Sequence, residues 1–494
     1  MLLNKLLSNT KVVGTEGDLS LEISGISYDS RKVKPGYLFV AVPGFALDGT
    51  RFIPQAVQNG ASAVITEKDF NVQGKVAKIV VPSARAALAD VSCAFFDHPS
   101  RKLKIIGITG TNGKTTTAYI INSIFKAAGI KSGLIGTVEM KMGDVSIESK
   151  LTTPESADLQ KILSDMAKNG ATHVVMEVSS HSLSLKRVRG IDFDVAVYTN
   201  LSHDHLDFHK TMESYFDAKL SLFRNLGGGS KKNTVAVVNM DDDYSETIEQ
   251  ETQAKLITYS TSKEADVSAK ILRYDMDAMA LEINLKGEKT VIETCLVGPF
   301  NASNVAAAFA AASSVGISKE HVKTGIEMME NVPGRLEKVR AGQDFMVIVD
   351  FAHSPDSLQK LLDTVKPFKK GKFILVFGCT GDRDKAKRPI MGAIAKKGAD
   401  IIFLTTDDPH NEDPLLIIKD VESGIKTAGG ITPRDYIKEP DRKAAIEKAI
   451  RSAKEGDIVL IAGRGHEKLQ EIKGKFIEID DRIVARDAVK KYRR

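Results

Sequence analysis

The sequence predicts an α/β protein in three domains. Apolar strand-like runs alternate along the chain with longer helical patterns, the rhythm of α/β layers around mainly parallel sheets. The runs are nearly continuous in apolar residues, as strands covered on both faces are. At 494 residues the chain also exceeds what a single core supports.

Taken in order, the runs are "YLFVAV" (37–42), "KIIGIT" (104–109), "HVVMEV" (173–178), "DVAVYTN" (194–200), "TVAVVNM" (234–240), "FMVIVDF" (345–351), "KFILVFG" (372–378), "DIIFLTT" (400–406) and "DIVLIAG" (457–463). Two breaks divide them. A polar, proline-containing stretch, "FDHPSRKLK" (96–104), precedes a strand that opens a glycine loop, and "ENVPGRLEKV" (330–339) sets Pro-Gly before a fresh series of strands. The expected domains are therefore 1–98, 99–333 and 334–494. "LGGGSKKN" (226–233) reads as a turn between a helix and a strand.

Composition excludes several classes. Hydrophobic residues make up 42% and charged residues 27%, which describes an ordinary packed protein. The net charge is +5, but both signs are interspersed and no basic run has interleaved aromatics, so nucleic acid is not an expected partner. Cys93, Cys295 and Cys379 have no metal-ligand or CxxC spacing, which points to a reducing compartment. The N-terminus shows no signal-peptide pattern and nothing approaches a membrane span, so a cytoplasmic protein without membrane insertion is expected.

The chemistry concentrates after the second run. In "ITGTNGKTTT" (108–117) a strand passes into glycines, a lysine and threonines before a helix. Such a loop offers unpaired backbone N–H groups and a positive helix end to a phosphate. Gly110 and Gly113 permit close approach, Lys114 would reach the outer phosphates and the Thr115 hydroxyl would meet magnesium. Ile108 stands where the strict Walker pattern has its first glycine. Glu177 ends the next run and would supply a second magnesium ligand or orient a water. "TNLSHDHLDFHKTMESYFDAK" (199–219) then gathers three histidines and four acids. His203, His205 and His209 could be read as a zinc set, but no thiolate accompanies them, and a phosphate site prefers magnesium with oxygen ligands.

Ordered blocks carry a resemblance. "TGTNGKTT" (109–116), "MEVSSHSL" (176–183), "TNLSHDHLDFH" (199–209), "AKLSLF" (218–223), "GPFNASNVAAA" (298–308), "VPGRLE" (332–337) and "VDFAHSPDSL" (349–358) resemble the signature blocks of the Mur ligases. These ligases attach amino acids to UDP-N-acetylmuramate in peptidoglycan synthesis. "YDSRKVKPGYLFVAVPGFALDG" (28–49), "TTPES" (152–156), "GCTGDRDKAKRP" (378–389), "DDPHNEDP" (407–414) and "IAGRGHE" (461–467) are most similar to the tripeptide-synthetase branch, which adds the third residue. The resemblance implies a central P-loop ATPase domain (99–333) between an N-terminal UDP-sugar domain (1–98) and a C-terminal Rossmann-like domain (334–494).

It also implies site residues. ATP would be held by Gly110, Thr111, Asn112, Gly113, Lys114, Thr115 and Thr116, with Asn301, Asn304, Arg335, Asp350 and His353. Magnesium would be held by Thr115, Glu177, His205 and Lys219, the last as a CO₂-derived carbamate. A lysine must be neutral to take up CO₂, and burial favours that form. Lys114, Glu177, His205 and Lys219 would be the catalytic set.

The UDP-N-acetylmuramoyl-dipeptide would meet Tyr28, Ser30, Phe45, Ala46, Leu47, Thr152, Thr153, Ser180 and Arg187; Leu151 replaces an asparagine common in the family. The incoming amino acid would meet Arg383, Asp407, Asp408, Pro409, His410, Gly463 and Glu467. Family members using meso-diaminopimelate show Asp-Asn-Pro-Arg where this chain has Asp407-Asp408-Pro409-His410. Asp408 favours an unopposed ammonium, as in L-lysine; Gly463, Glu467 and a cation from Arg464 favour meso-diaminopimelate, which is the expectation adopted.

The implied reaction is formation of an acyl phosphate and ADP, then an amide, in a monomer. Rival readings are a ligase like folylpolyglutamate synthetase, or a P-loop nucleotide switch without catalysis.

Overall fold

The computed structural model describes residues 1–44, 48–71, 75–143 and 145–492. Each of the nine apolar runs forms a strand, shorter than its run by up to three residues except at Lys104–Thr109, where the two coincide. Three larger sheets organise the chain, of five, eleven and six strands.

The first sheet is parallel over Gly25–Ser27, Tyr37–Val40, Ala61–Thr66 and Ala77–Val80, with Gly14–Glu16 antiparallel at one edge. The helix Ala84–Phe95 packs its alanine- and leucine-rich face into the same core. In the large sheet, Lys104–Thr109 lies between Val195–Tyr198 and His173–Glu177, all three parallel. Helices before and after such a central strand lie on opposite faces, so a crevice opens at the strands' C-terminal ends. The glycine loop and Glu177 both sit there.

The large sheet is mainly parallel, as expected, with antiparallel additions at its ends: Val267–Tyr274, Met279–Leu285 and Glu288–Thr294 form an antiparallel meander at one end, and Glu139–Met142 with Val145–Glu148 forms a hairpin at the other. These strands alternate buried and exposed residues or are exposed throughout. Antiparallel sheets can leave one face to water, which interrupts the apolar runs used to find strands.

The last sheet orders Met346–Asp350, Ile458–Ala462, Phe373–Phe377, Ile401–Leu404 and Tyr436–Lys438 in parallel. Arg442 and Asp481, both fully buried, pair at 2.6 and 2.8 Å, and Arg442 also donates to the Thr406 and Ala462 carbonyls. Those bonds fix the strand ends that carry the segments 406–410 and 463–467.

The helix Pro355–Val365 opens with a reciprocal cap between Ser354 and Ser357, and its first turn presents Asp356 to Asn112 of the glycine loop at 2.9 Å. A Ser354→Ala substitution is expected to cost about 1 kcal/mol. It should lower the melting midpoint by about 2–4 °C for a domain of this size, measurable by scanning calorimetry.

Candidate active site

The loop after Lys104–Thr109 is shaped by close contacts. Gly110 has φ 144° and a Cβ there would lie 1.9 Å from Thr199 Oγ1; Gly113 has φ 88° and a Cβ would lie 2.4 Å from Asn304 Oδ1. Only glycine fits at either place. Thr199 accordingly donates to the Asn112 carbonyl at 2.7 Å, and Asn112 N–H donates to Asn200 at 3.0 Å. Lys114 folds back over the loop, donating to the Gly110 and Thr111 carbonyls at 2.9 and 2.8 Å.

Glu177 is buried at the adjoining strand end. It accepts from Thr115 Oγ1 at 2.9 Å, Thr137 N–H at 2.8 Å and Thr137 Oγ1 at 2.9 Å. Gly136 makes room for it, since a Cβ there would stand 2.5 Å from Glu177 Oε1. The Thr115 hydroxyl and Glu177 carboxylate form the hard oxygen pair that suits magnesium.

Lys219 is 1% exposed, and its amine donates to the Gly110 carbonyl at 2.8 Å and lies 4.3 Å from the Tyr215 ring centre. Burial, with Lys114 as a like charge, holds its ammonium well below the ordinary lysine value; Asp204 opposes them. His205 faces the same Tyr215 ring at 6.0 Å. Burial pushes its imidazole down to about 3, leaving a neutral ring with a lone pair for a metal. The three histidines raised as a zinc set point to different partners: His203 to Asp384 and His209 to Ser180, each at 2.9 Å, and His205 to Asp204 at 3.7 Å. They do not converge on one ion.

A cleft of about 510 Å³ runs from the glycine loop to the C-terminal domain. It brings together Asn112, Gly113, Thr116, Asn301, Asn304, Arg335 and Asp350, all expected nucleotide contacts. Arg335 reaches across toward Thr115 at 3.5 Å and stacks on Phe351. Asp350 accepts from the Leu336 and Ala352 N–H groups at 2.7 and 2.8 Å. His353 faces Asp204 at 3.7 Å.

On the expected sugar side, Tyr28 donates to Asp158 at 2.5 Å and Ser30 to Gln55 at 2.7 Å. Phe45, Ala46 and Leu47 lie outside the described residues. Thr153 donates to the Glu177 carbonyl at 2.8 Å, Thr152 meets Thr137 at 3.1 Å, and Ser180 meets His209. Arg187 is engaged by Glu155 at 2.8 Å.

In the C-terminal domain, Asp407, Asp408 and Glu467 converge to within 4.8 Å, and Asp407 Oδ2 is buried with no hydrogen-bond partner among the described residues. Gly463 lies against it, where a Cβ would meet Asp407 Oδ2 at 2.4 Å. Burial and the two aspartates raise the Glu467 carboxyl to about 8. Asp408, read as an extra acid favouring a ligand's unopposed ammonium, is already paired: Arg464, fully buried, donates to it and to the Leu469 carbonyl. That pairing also removes Arg464 as a spare cation. His410 faces Glu471 at 2.9 Å and follows Pro409 into a left-handed backbone conformation, φ 49°. Arg383 is exposed, with no acid pairing to it among the described residues, and lies close enough to His181 to influence its titration.

Sequence reasoning missed Thr137, which binds Glu177 twice, and Asp204, buried between the two domains. Asp204 was countable within the histidine-rich block; Thr137 carried no signal.

Family models for the Mur ligase family catalytic domain, the Mur ligase middle domain and the Mur ligase glutamate ligase domain match residues 22–96, 108–312 and 334–465. The chain is 45% identical over 474 residues to a UDP-N-acetylmuramoyl-L-alanyl-D-glutamate--2,6-diaminopimelate ligase of Geobacillus thermodenitrificans, covering 96% of each chain. It is 44% identical over 471 residues to the ligase of that name from Solibacter usitatus, covering 95% of this chain and 94% of the relative. A solved structure of a ligase so named superposes with a TM-score of 0.68 at 32% identity over 99% of both chains. At 17% identity and a TM-score of 0.62, a Mycobacterium tuberculosis folylpolyglutamate synthase shares the fold, over 83% of this chain and 95% of the synthase. With three consecutive domain models and relatives of this identity along almost its whole length, the chain belongs to the Mur ligase family.

Proposed function

We propose that this ligase adds meso-diaminopimelate to UDP-N-acetylmuramoyl-L-Ala-D-Glu in the cytoplasm, consuming ATP in peptidoglycan synthesis. The observation that carries the choice of step is the relatives' common activity at 41–45% identity across 95–99% of the chain. Three free cysteines, and no helix among the described residues long and apolar enough to cross a membrane, agree with the compartment.

The residues divide the work. Lys114 and the loop N–H groups hold the ATP phosphates, with Asn301, Asn304 and Arg335 bordering the nucleotide. Thr115 and Glu177 would hold one magnesium, and His205 with carbamylated Lys219 a second; bound there, the ions would neutralise phosphate charge. The substrate carboxylate attacks the γ-phosphorus, ADP leaves and an acyl phosphate forms. An amine brought by the C-terminal domain displaces phosphate and gives the amide. No enzyme nucleophile is required, which leaves Ser179, Ser180 and the cysteines without a covalent role.

Arg383 supports a ligand with a second carboxylate, because it is an exposed cation near His181 with no acid partner among the described residues. Asp407, with its unpartnered Oδ2, suits the ligand's ammonium, and Glu467, raised to about 8 beside the two aspartates, would ionise once that cation arrives. L-Lysine is the second reading, favoured by the absence of an arginine at His410 and the engagement of His410 with Glu471.

Phosphate release by the purified chain, given ATP, the UDP-linked dipeptide and each amino acid in turn, decides between them. The highest kcat/KM is expected with meso-diaminopimelate. A clear preference for L-lysine overturns the choice, and release independent of any amine would favour the nucleotide switch.

A further inference from the structure

The helix Lys387–Gly398 of the C-terminal domain begins with two buried cations. The Arg388 terminal nitrogens are held by Glu412 at 2.8 and 3.1 Å, Asp420 at 3.0 Å and the Thr380 carbonyl. Lys387 is different. It is 4% exposed, yet its ammonium makes no hydrogen bond among the described residues. Its nearest counter-charge is Asp204 Oδ1, 4.0 Å away across the domain seam.

Asp204 cannot serve Lys387 alone. It is buried, His205 and His353 each face its other oxygen at 3.7 Å, and Lys114 and Lys219 feel its charge. With one shared carboxylate at 4.0 Å as its counter-charge, the Lys387 ammonium keeps its N–H groups available to an anion that arrives with the substrates. The Arg388 contacts and the neighbouring seam pair His203–Asp384, at 2.9 Å, fix the start of the helix and leave Lys387 beside Asp204, the carboxylate that His205 and His353 also face.

Resting on the ligase reading above, we propose that Lys387 binds the phosphate that leaves in the second half of the reaction. The position of the residue selects that half. Lys387 lies within the block 378–389 that includes Arg383, so it meets Asp204 from the same body that carries the incoming amino acid. The amine nitrogen forms the C–N bond, the C–O pair departs with phosphate, and the proton released from nitrogen goes to that phosphate. An ammonium on the phosphate oxygens stabilises the charge that grows there as the C–O bond breaks.

The test uses the full chain with K387M, K387Q and K387R, read by steady-state turnover and by rapid-quench measurement of ADP and amide in the first turnover. Both neutral variants should lose about 10²-fold in amide formation. First-turnover ADP and the KM for ATP should stay within about threefold of wild type. K387R should recover to within about tenfold. Amide formation near the wild-type rate in either neutral variant, equal loss of ADP and amide formation, or K387R no better than K387M overturns the proposal. Melting curves identify a variant that fails to fold, and the other neutral variant then decides. A wild-type enzyme that makes no amide instead refutes the ligase reading itself, independently of Lys387.

Discussion

Replacing Lys219 with alanine should lower ligation by about 10³-fold or more, the loss expected when a group that arranges the transition-state charge is removed. The side chain is 1% exposed and sits among Lys114, Tyr215 and the Gly110 carbonyl. An ammonium there would add to the charge of Lys114, and burial already drives the group toward its neutral amine. That neutral amine can take up CO₂ with loss of a proton, and the carbamate so formed would place a negative charge beside His205 where the amine has none. The alanine variant would lose both that anion and the means of forming it. Small carboxylic acids, diffusing into the vacated space, should restore part of the activity in a concentration-dependent way. Mass analysis under non-acidic conditions should show an added CO₂ on the wild type alone. An alanine variant that ligates at the wild-type rate without added acid would remove Lys219 from the mechanism.

The parts legible in the sequence were those written in contiguous residues. Lys104–Thr109 and the glycine loop announce themselves because a fully buried parallel strand is apolar throughout and its phosphate loop follows at once. Glu177 was found for the same reason, at the end of such a strand. The antiparallel strands Val267–Tyr274 and Glu288–Thr294 were missed because exposed charges break up their apolar pattern. Contacts between distant residues were also hidden. Asn112 meets Asp356 across 244 positions, and Arg464 meets Asp408 across 56. The second case changed a conclusion: Asp408 read alone is a spare anion, whereas folded it is half of a buried pair. Spacing along the chain shows which groups are present, and only the domain seam shows which of them have already been neutralised. Lys387 is the converse case, a common lysine in sequence whose isolation appears only when the two domains are brought together.

Glu177→Gln is the second substitution expected to act strongly, and it separates charge from shape. The amide keeps the length and nearly the volume of the carboxylate, so Gly136 still accommodates it and the oxygen facing Thr137 N–H still accepts. On the other side the Thr115 and Thr137 hydroxyls can rotate to accept from the new NH₂ group, since a hydroxyl both donates and accepts. The fold should therefore survive with a melting midpoint close to wild type. What disappears is the anionic charge of an oxygen ligand suited to magnesium. Turnover should fall by about 10³-fold, and the magnesium concentration for half-maximal activity should rise at the same time. Because the P-loop amides and Lys114 are untouched, nucleotide measured without magnesium should bind the variant and the wild type alike. Turnover within tenfold of wild type, with an unchanged magnesium requirement, would mean that Glu177 only braces Thr115 and Thr137 and that the metal is held elsewhere.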